Sequence, residues 1–415
     1  MITTIGVIVF YAVLSFLIIV ILRRQPNAIT QTEILLTFAF KILLGCVYGY
    51  IFLKYYGGDD TWAIHQAAVK ETELLRKDPY QFFWEFTPLT AISNARNWEE
   101  ILPYYLADLE YCLLAKTFGI INLITRGNYY FNVVFFNFLV FWGHWLLYRL
   151  LARNNPSRRR LLFFAIFFFP STVFWLSGIR ADGILFLFFS LTIYNFDRLL
   201  HKNSISGWIG FLIGWAGILI MRFPVALLIV PALIAWWLVV RRKKSPLLAF
   251  ISVYGIALLL FFVSGLIPLI DGPQALSRRQ AEYFRLSGNT RFELDTLKHN
   301  TMSYLKILPQ AISNTFIRPL PWEAKGVLQL LASVVILFFW VLIVFIFLKR
   351  KAVLTDSQWA VFLLLLFFGV SMYITIGYTV PFPGAIVRYK AIAELSLICA
   401  LLLITGKKEL NRRKI

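Results

Sequence analysis

Cysteine is scarce. Cys46, Cys112 and Cys399 are the three in 415 residues, and their spacing fits neither a disulfide framework nor a metal site. Glycine-rich nucleotide loops of the Walker or dinucleotide type are missing. There is no internal repeat, no low-complexity tract and no stretch polar enough to form a separate soluble domain. The first apolar run lacks a basic n-region and a small-residue cleavage site, so it reads as a retained span and not a signal peptide. Charge is sparse at 15% of residues and strongly one-sided, with 41 Lys and Arg against 21 Asp and Glu.

Apolar residues are what the chain has in excess. They make up 59% of it, and the mean hydropathy is +0.72. A soluble core cannot hide that much apolar surface, so the composition predicts an all-α polytopic membrane protein. Aromatics reach 17%, including 40 Phe, as lipid-facing helices with aromatic belts require. A net charge of +20 would suggest nucleic acid in a soluble protein. Here the cations lie mainly in short loops between spans, so membrane orientation explains them and no nucleic-acid partner is expected.

Runs of about 17–25 apolar residues mark about eleven transmembrane helices. They are Gly6–Leu22, Ile34–Leu53, Tyr129–Leu151, Leu161–Ser177, Ile184–Leu200, Trp208–Met221, Phe223–Val240, Leu247–Ile270, Gly326–Leu348, Gln358–Tyr378 and Ile386–Thr405. Basic clusters follow every odd-numbered span: Arg23-Arg24, Arg158-Arg159-Arg160, His201-Lys202, Arg241–Lys244, Lys349-Arg350-Lys351, and Lys407-Lys408 with Arg412-Arg413-Lys414. The positive-inside rule then puts the N-terminus outside and the C-terminus inside. The chain reads as one integral membrane domain, residues 1–415, with two polar outer-face segments, 54–128 and 271–325. In the first, Thr61–Arg76 reads as an amphipathic helix, Pro79 and Pro88 break the next pieces, and Ile101–Thr125 reads as interfacial or re-entrant. The second carries Arg278, Arg279, Arg285, Arg291, Lys298, Lys306, Arg318 and Lys325. That basic excess has no topological purpose on an outer face, which points to an anionic ligand or lipid headgroup, or to a solvated, partly paired helix.

The chemistry centres on Gly57-Gly58-Asp59-Asp60, where a span gives way to water. Two carboxylates there either cap the following helix or do acid–base work. His65, Arg180, Asp182, Arg222, Arg318, Trp322, Glu323, Arg388 and Lys390 sit at other outer span ends. A carboxylate can deprotonate an incoming hydroxyl, and arginine forks suit phosphate. Together they form the inventory for moving a sugar from a lipid phosphate, whose growing charge must be stabilised. Each has a plainer reading: Arg180 and Asp182 pairing with each other, Pro170-Ser171 kinking a helix, Arg388 and Lys390 snorkelling. Lys41 and Glu394 are the clearest charges inside spans, and such groups would serve a transporter.

The layout resembles bacterial membrane glycosyltransferases of the GT-C fold. The motifs that carry the likeness are Gly57–Asp60, Phe169–Asp182, Arg318–Ala324 and Gly384–Lys390. The resemblance implies a polyprenyl-phosphate-linked sugar donor, a glycan or lipid-linked acceptor, membrane lipids around the chain, and an inner-membrane enzyme of the cell envelope with a periplasmic active site. On the residues themselves, Asp60, which leads directly into the helix Thr61–Arg76, is the expected general base with Asp59 beside it, and Arg180, Arg222, Arg318, Arg388 and Lys390 are expected on the donor phosphate. His65, Asp182, Trp322 and Glu323 are then expected against substrate. Two departures stand out: the Asp motif follows the second span where such proteins often place it after the first, and Arg180 occupies a position more often Lys. Oligosaccharyltransferase-type metal motifs are not evident, so neither a catalytic metal nor another cofactor is expected. The alternatives are a lipid-linked glycan polymerase and a flippase for lipid-linked glycans.

Overall fold

The computed structural model describes residues 2–22, 29–84, 98–267, 270–288, 290–349 and 354–405. The clusters Arg23-Arg24, Arg350-Lys351 and 407–414, together with Pro88, lie outside the described residues. Among the described residues there are eighteen α-helices and no strands. In order they are α1 Ile2–Leu22, α2 Gln31–Tyr56, α3 Asp60–Lys77, α4 Pro79–Trp84, α5 Trp98–Thr125 and α6 Tyr129–Asn154. Next come α7 Arg159–Phe168, α8 Pro170–Trp175, α9 Ala181–His201, α10 Ile205–Met221, α11 Phe223–Arg242 and α12 Pro246–Val263. The rest are α13 Gly272–Arg285, α14 Thr301–Ile312, α15 Val327–Lys349, α16 Asp356–Thr379, α17 Pro383–Tyr389 and α18 Ala391–Leu403.

Among the described residues, seven helices are long and apolar enough to cross a membrane: α2, α6, α9, α11, α12 with its 3₁₀ extension to Leu266, α15 and α16. Three more are apolar but shorter, at Gly6–Leu22, Ile205–Met221 and Ala391–Leu403. Exposed Leu258, Leu259 and Leu260 on α12, and Val334, Phe338 and Val341 on α15, would be unfavourable in water and suit lipid. The chain is a polytopic, all-helical membrane protein.

The expected count of eleven spans is refined at two places. The run Leu161–Ser177 does not form one helix. Pro170 cannot donate to a ladder, Phe169 is extended, and the run divides into α7 and α8. The last run divides similarly at Lys390 into α17 and α18. α5 has 28 residues but is not among the apolar spans, as its Asp108, Glu110 and Lys116 suggest.

The chain divides into two compact units. The first comprises residues 1–151 and 173–226, the second 152–172 and 227–415. Within the first, a polar seam fastens α3 to α5 and α6. Asn132 Nδ2 donates to Asn122 Oδ1 (2.8 Å), Asn122 Nδ2 to Thr72 Oγ1 (3.1 Å), and Thr125 Oγ1 to Asn132 Oδ1 (2.7 Å). Lys116 joins Glu71 at 2.9 Å. In the second unit, Leu297, Tyr304, Ile307, Ala311 and Tyr378 form a buried apolar cluster. Phe261, Phe262 and Leu276 pack against it.

Candidate active site

Helix α2 stops because Gly57 takes the left-handed conformation at φ 69°. Gly58 follows at φ 115°, and its N–H reaches back to the Phe52 carbonyl at 2.9 Å, closing the helix as glycine C-caps do. Asp59 continues the run at φ 57°, ψ 175°. That region is nearly reserved for glycine and costs of order 1–3 kcal/mol for another residue. The strained aspartate begins α3 through its backbone: its carbonyl accepts from Trp62 N (2.9 Å) and Ala63 N (3.1 Å). Its side chain makes no cap bond.

Both carboxylates turn instead to Arg180. One guanidinium nitrogen, Nη1, bonds Asp59 and the other, Nη2, bonds Asp60. Nη1 also donates to Tyr48 Oη at 3.0 Å. Side-chain capping therefore does not account for Asp59. Arg180 is 4% exposed at its side chain, Asp59 28% and Asp60 65%, so a buried cation holds out two accessible carboxylates. Burial pulls the Arg180 pKa down. Tyr48, Asp60, Asp59 and Asp182 outweigh that and hold it well above its ordinary value.

The loop carrying Arg180 is clamped by one face of α2. Lys41, Gly45, Tyr48 and Phe52 recur at helical spacing and are buried or nearly so. Lys41 Nζ donates to Ser177 Oγ at 3.2 Å, and Asn137 Nδ2 to the Ser177 carbonyl at 2.9 Å. Gly45 makes that approach possible, because a Cβ there would stand 2.5 Å from the Ser177 carbonyl oxygen. α3 is fixed as firmly. Thr61 Oγ1 lies 2.7 Å from Tyr129 Oη, and Trp62 Nε1 donates to Gly49 O at 3.0 Å while its ring stacks on Tyr129 at 4.0 Å.

Of the remaining expected residues in this unit, Asp182 pairs with Arg222, at 3.3 Å. His65 points inward: it is buried, with Nδ1 3.4 Å from Asn132 Nδ2. Burial lowers its pKa, the Gly127 backbone opposing, so the ring is neutral at pH 7. The structure thus gathers Asp59, Asp60, Arg180, Asp182 and Arg222. Tyr48, Ser177 and Asn137 support them, and the sequence reading missed Tyr48 and Asn137. Gly45 and Gly49 flanking Tyr48 were the available signal of close packing on that helix face.

Arg318, Trp322, Glu323, Arg388 and Lys390 belong to the second unit. Arg318 is fully engaged there. Its Nε and Nη2 reach Glu323 Oε1 at 2.8 and 2.7 Å, Nη1 reaches Asn314 Oδ1 at 3.2 Å, and the guanidinium lies 4.0 Å over the Phe292 ring. Glu323 also accepts from Leu320 N at 2.9 Å. Burial raises the Glu323 pKa, but the bonds from Arg318 and Leu320 carry it below the ordinary value. Trp322 is 80% exposed. Arg388 stacks 4.6 Å over Tyr389. Lys390 is buried, its ammonium on the Thr315 carbonyl at 2.9 Å.

No curated protein and no solved structure matches the chain. Residues 118–267, a little over a third of it, match the family described as dolichyl-phosphate-mannose-protein mannosyltransferase, a glycosyltransferase family of the GT-C fold. The matched stretch runs from α5 to the end of α12 and takes in Arg180, Asp182 and Arg222. With its apolar helices, this similarity supports a multi-pass membrane glycosyltransferase that uses a lipid-linked sugar donor.

Proposed function

We propose that the chain transfers a sugar from a polyprenyl-phosphate donor to a hydroxyl acceptor at the outer face of a bacterial inner membrane. Asp60 is the general base. The observation that carries this is the exposure gradient across the ion pair. Arg180 is buried and fixed by Tyr48, whereas the Asp60 carboxylate is mostly exposed on the first turn of a firmly anchored helix. A base must be reachable by substrate yet held in direction. Asp59 shares the same guanidinium and orients its neighbour or the acceptor. Arg222, partly exposed, is the cation of this unit that serves the donor phosphate, with Arg180 supporting from a buried position. Asp182 and His65 belong to the substrate surroundings in this reading.

Transport has less support. Lys41 and Glu394, the charges expected to line a path, are buried and bonded to Ser177 and Ser171 at 3.2 and 2.6 Å.

The test is proteoliposome transfer combined with cysteine labelling. Protein purified with native lipid should yield a polyprenyl-phosphate sugar by mass spectrometry and transfer that sugar in vitro. Cysteines at positions 60 and 295 should label from outside, and those at 158, 243 and 414 from inside. Cytoplasmic labelling at position 60 would overturn the outer-face reading, because the donor would then face the wrong compartment.

A further inference from the structure

Helix α13, in the second unit, is two-faced. Pro273, Leu276 and Gln280 form its inner stripe at helical spacing. Pro273 and Gln280 are buried, and Leu276 packs on the apolar cluster around Tyr304. Gln280 stitches the helix down: Nε2 donates to the carbonyls of Asp295 (3.0 Å) and Tyr378 (2.8 Å), and Oε1 accepts from Leu297 N (2.7 Å). The outer stripe is Ala275, Arg278, Arg279, Glu282 and Arg285, all exposed. Arg278 and Arg285 lie two turns apart, about 10 Å along the axis.

Aromatic rings back these cations. Arg279 lies 5.0 Å over Tyr283 and pairs with Glu282 at 2.7 Å. Exposed Arg291 lies 4.4 Å over Phe284. Tyr283 meets Tyr389 at 6.3 Å, and Arg388 lies 4.6 Å over that second ring. A ring beneath a guanidinium stabilises the cation. The exposed carboxylates of Glu282, Glu293 and Asp295 offset part of the charge and leave an excess of cations along the row.

The geometry points to the Arg278–Arg285–Arg291 row, with Arg279 and Arg388, as a binding surface for an acidic oligosaccharide. A single phosphate is gripped by donors that converge, whereas Arg278, Arg279 and Arg285 are strung out along a helix, with Arg291 and Arg388 beyond it, and suit a ligand whose charges also repeat. A membrane surface fits less well. An interfacial helix keeps large apolar side chains for lipid, but the apolar side of α13 is already used by the protein and its free side carries only alanines between charges. That the ligand is the acceptor or product glycan rests on the glycosyl-transfer reading; the binding surface itself does not.

Fluorescence polarisation tests it, using the full chain in phosphatidylcholine nanodiscs and fluorescein-labelled oligogalacturonate as probe. Wild type should bind, more weakly as salt rises, and should ignore a neutral dextran oligomer. Arg278→Gln/Arg285→Gln/Arg291→Gln should weaken binding at least about tenfold with unchanged thermal unfolding, since all three side chains are exposed. The corresponding triple lysine variant should keep the salt dependence and bind between the two. Asp60→Asn should bind like wild type, which separates this surface from the catalytic proposal. Equal binding by the triple glutamine variant would overturn the inference, as would equal binding of dextran. So would a wild type that ignores oligogalacturonate and responds only to phosphatidylglycerol in the disc.

Discussion

Arg180 in the first unit and Arg318 in the second each hold carboxylates from outside the membrane-spanning helices, and they differ in which partner is exposed. Arg180 is buried, with its two aspartates reaching toward water. Arg318 and Glu323 are similarly and only partly exposed, at 27% and 22%, and each is also engaged by Asn314, Phe292 or Leu320. The backbone differs too. Asp59 sits at a positive φ that glycine would favour, whereas Glu323 closes a short 3₁₀ turn through the Leu320 amide. A closed pair held by local partners stabilises a turn. An open pair, whose carboxylates reach toward water with strain beside it, is where chemistry is expected.

The largest stability effect should come from breaking the open pair completely. Asp59→Asn/Asp60→Asn leaves a buried guanidinium without its two nearest carboxylates, at a cost of about 3–5 kcal/mol. Thermal unfolding should show it, while either single variant stays close to wild type because one carboxylate remains. A double variant as stable as wild type would mean that Tyr48 and Asp182 suffice for Arg180.

Opening the closed pair should matter less. Glu323→Gln keeps shape and one acceptor, so after screening at a partly exposed site it should cost about 1 kcal/mol. Its signature is in pH. The folded pKa of Glu323 is below its unfolded value, so the pair's contribution is complete above the ordinary value of 4.5 and is lost as pH falls further. Glu323→Gln should flatten that acid limb of stability. An unchanged acid limb would remove the pair from the account.

The smallest effect isolates the backbone. Asp59→Gly and Asp59→Ala both delete the carboxylate, but only glycine accepts φ 57° without strain. The glycine variant should be the more stable by about 1 kcal/mol. Equal unfolding temperatures would show that position 59 is unstrained.

Much of this was legible in the sequence. Hydropathy gave the membrane class, and the span ends agree closely wherever a run is uninterrupted, as in Gln358–Tyr378 against Asp356–Thr379. Pro170 made the break in the fourth run readable as a kink, but not the full separation into two helices. In the site, the pairing of Arg180 with Asp59 and Asp60 was not legible. It joins residues about 120 apart in sequence, and local spacing made Asp182 look like the natural partner. His65 looked like a surface group on an amphipathic helix. Its inward turn depends on Asn132 and Tyr129, which arrive from another helix.

The central claim is that the exposed carboxylate of the open pair is the base, and turnover of Asp60→Asn tests it most directly. Asparagine keeps the size of aspartate and its capping ability but cannot take a proton. In a transfer assay with the co-purified lipid-linked sugar, turnover should fall by about 10²–10⁴-fold while the unfolding temperature stays within error of wild type. Full turnover in Asp60→Asn would contradict the account. If Asp59→Asn also remained active, the pair would be structural and the base would lie elsewhere, with Asp182 or Glu323 next in line.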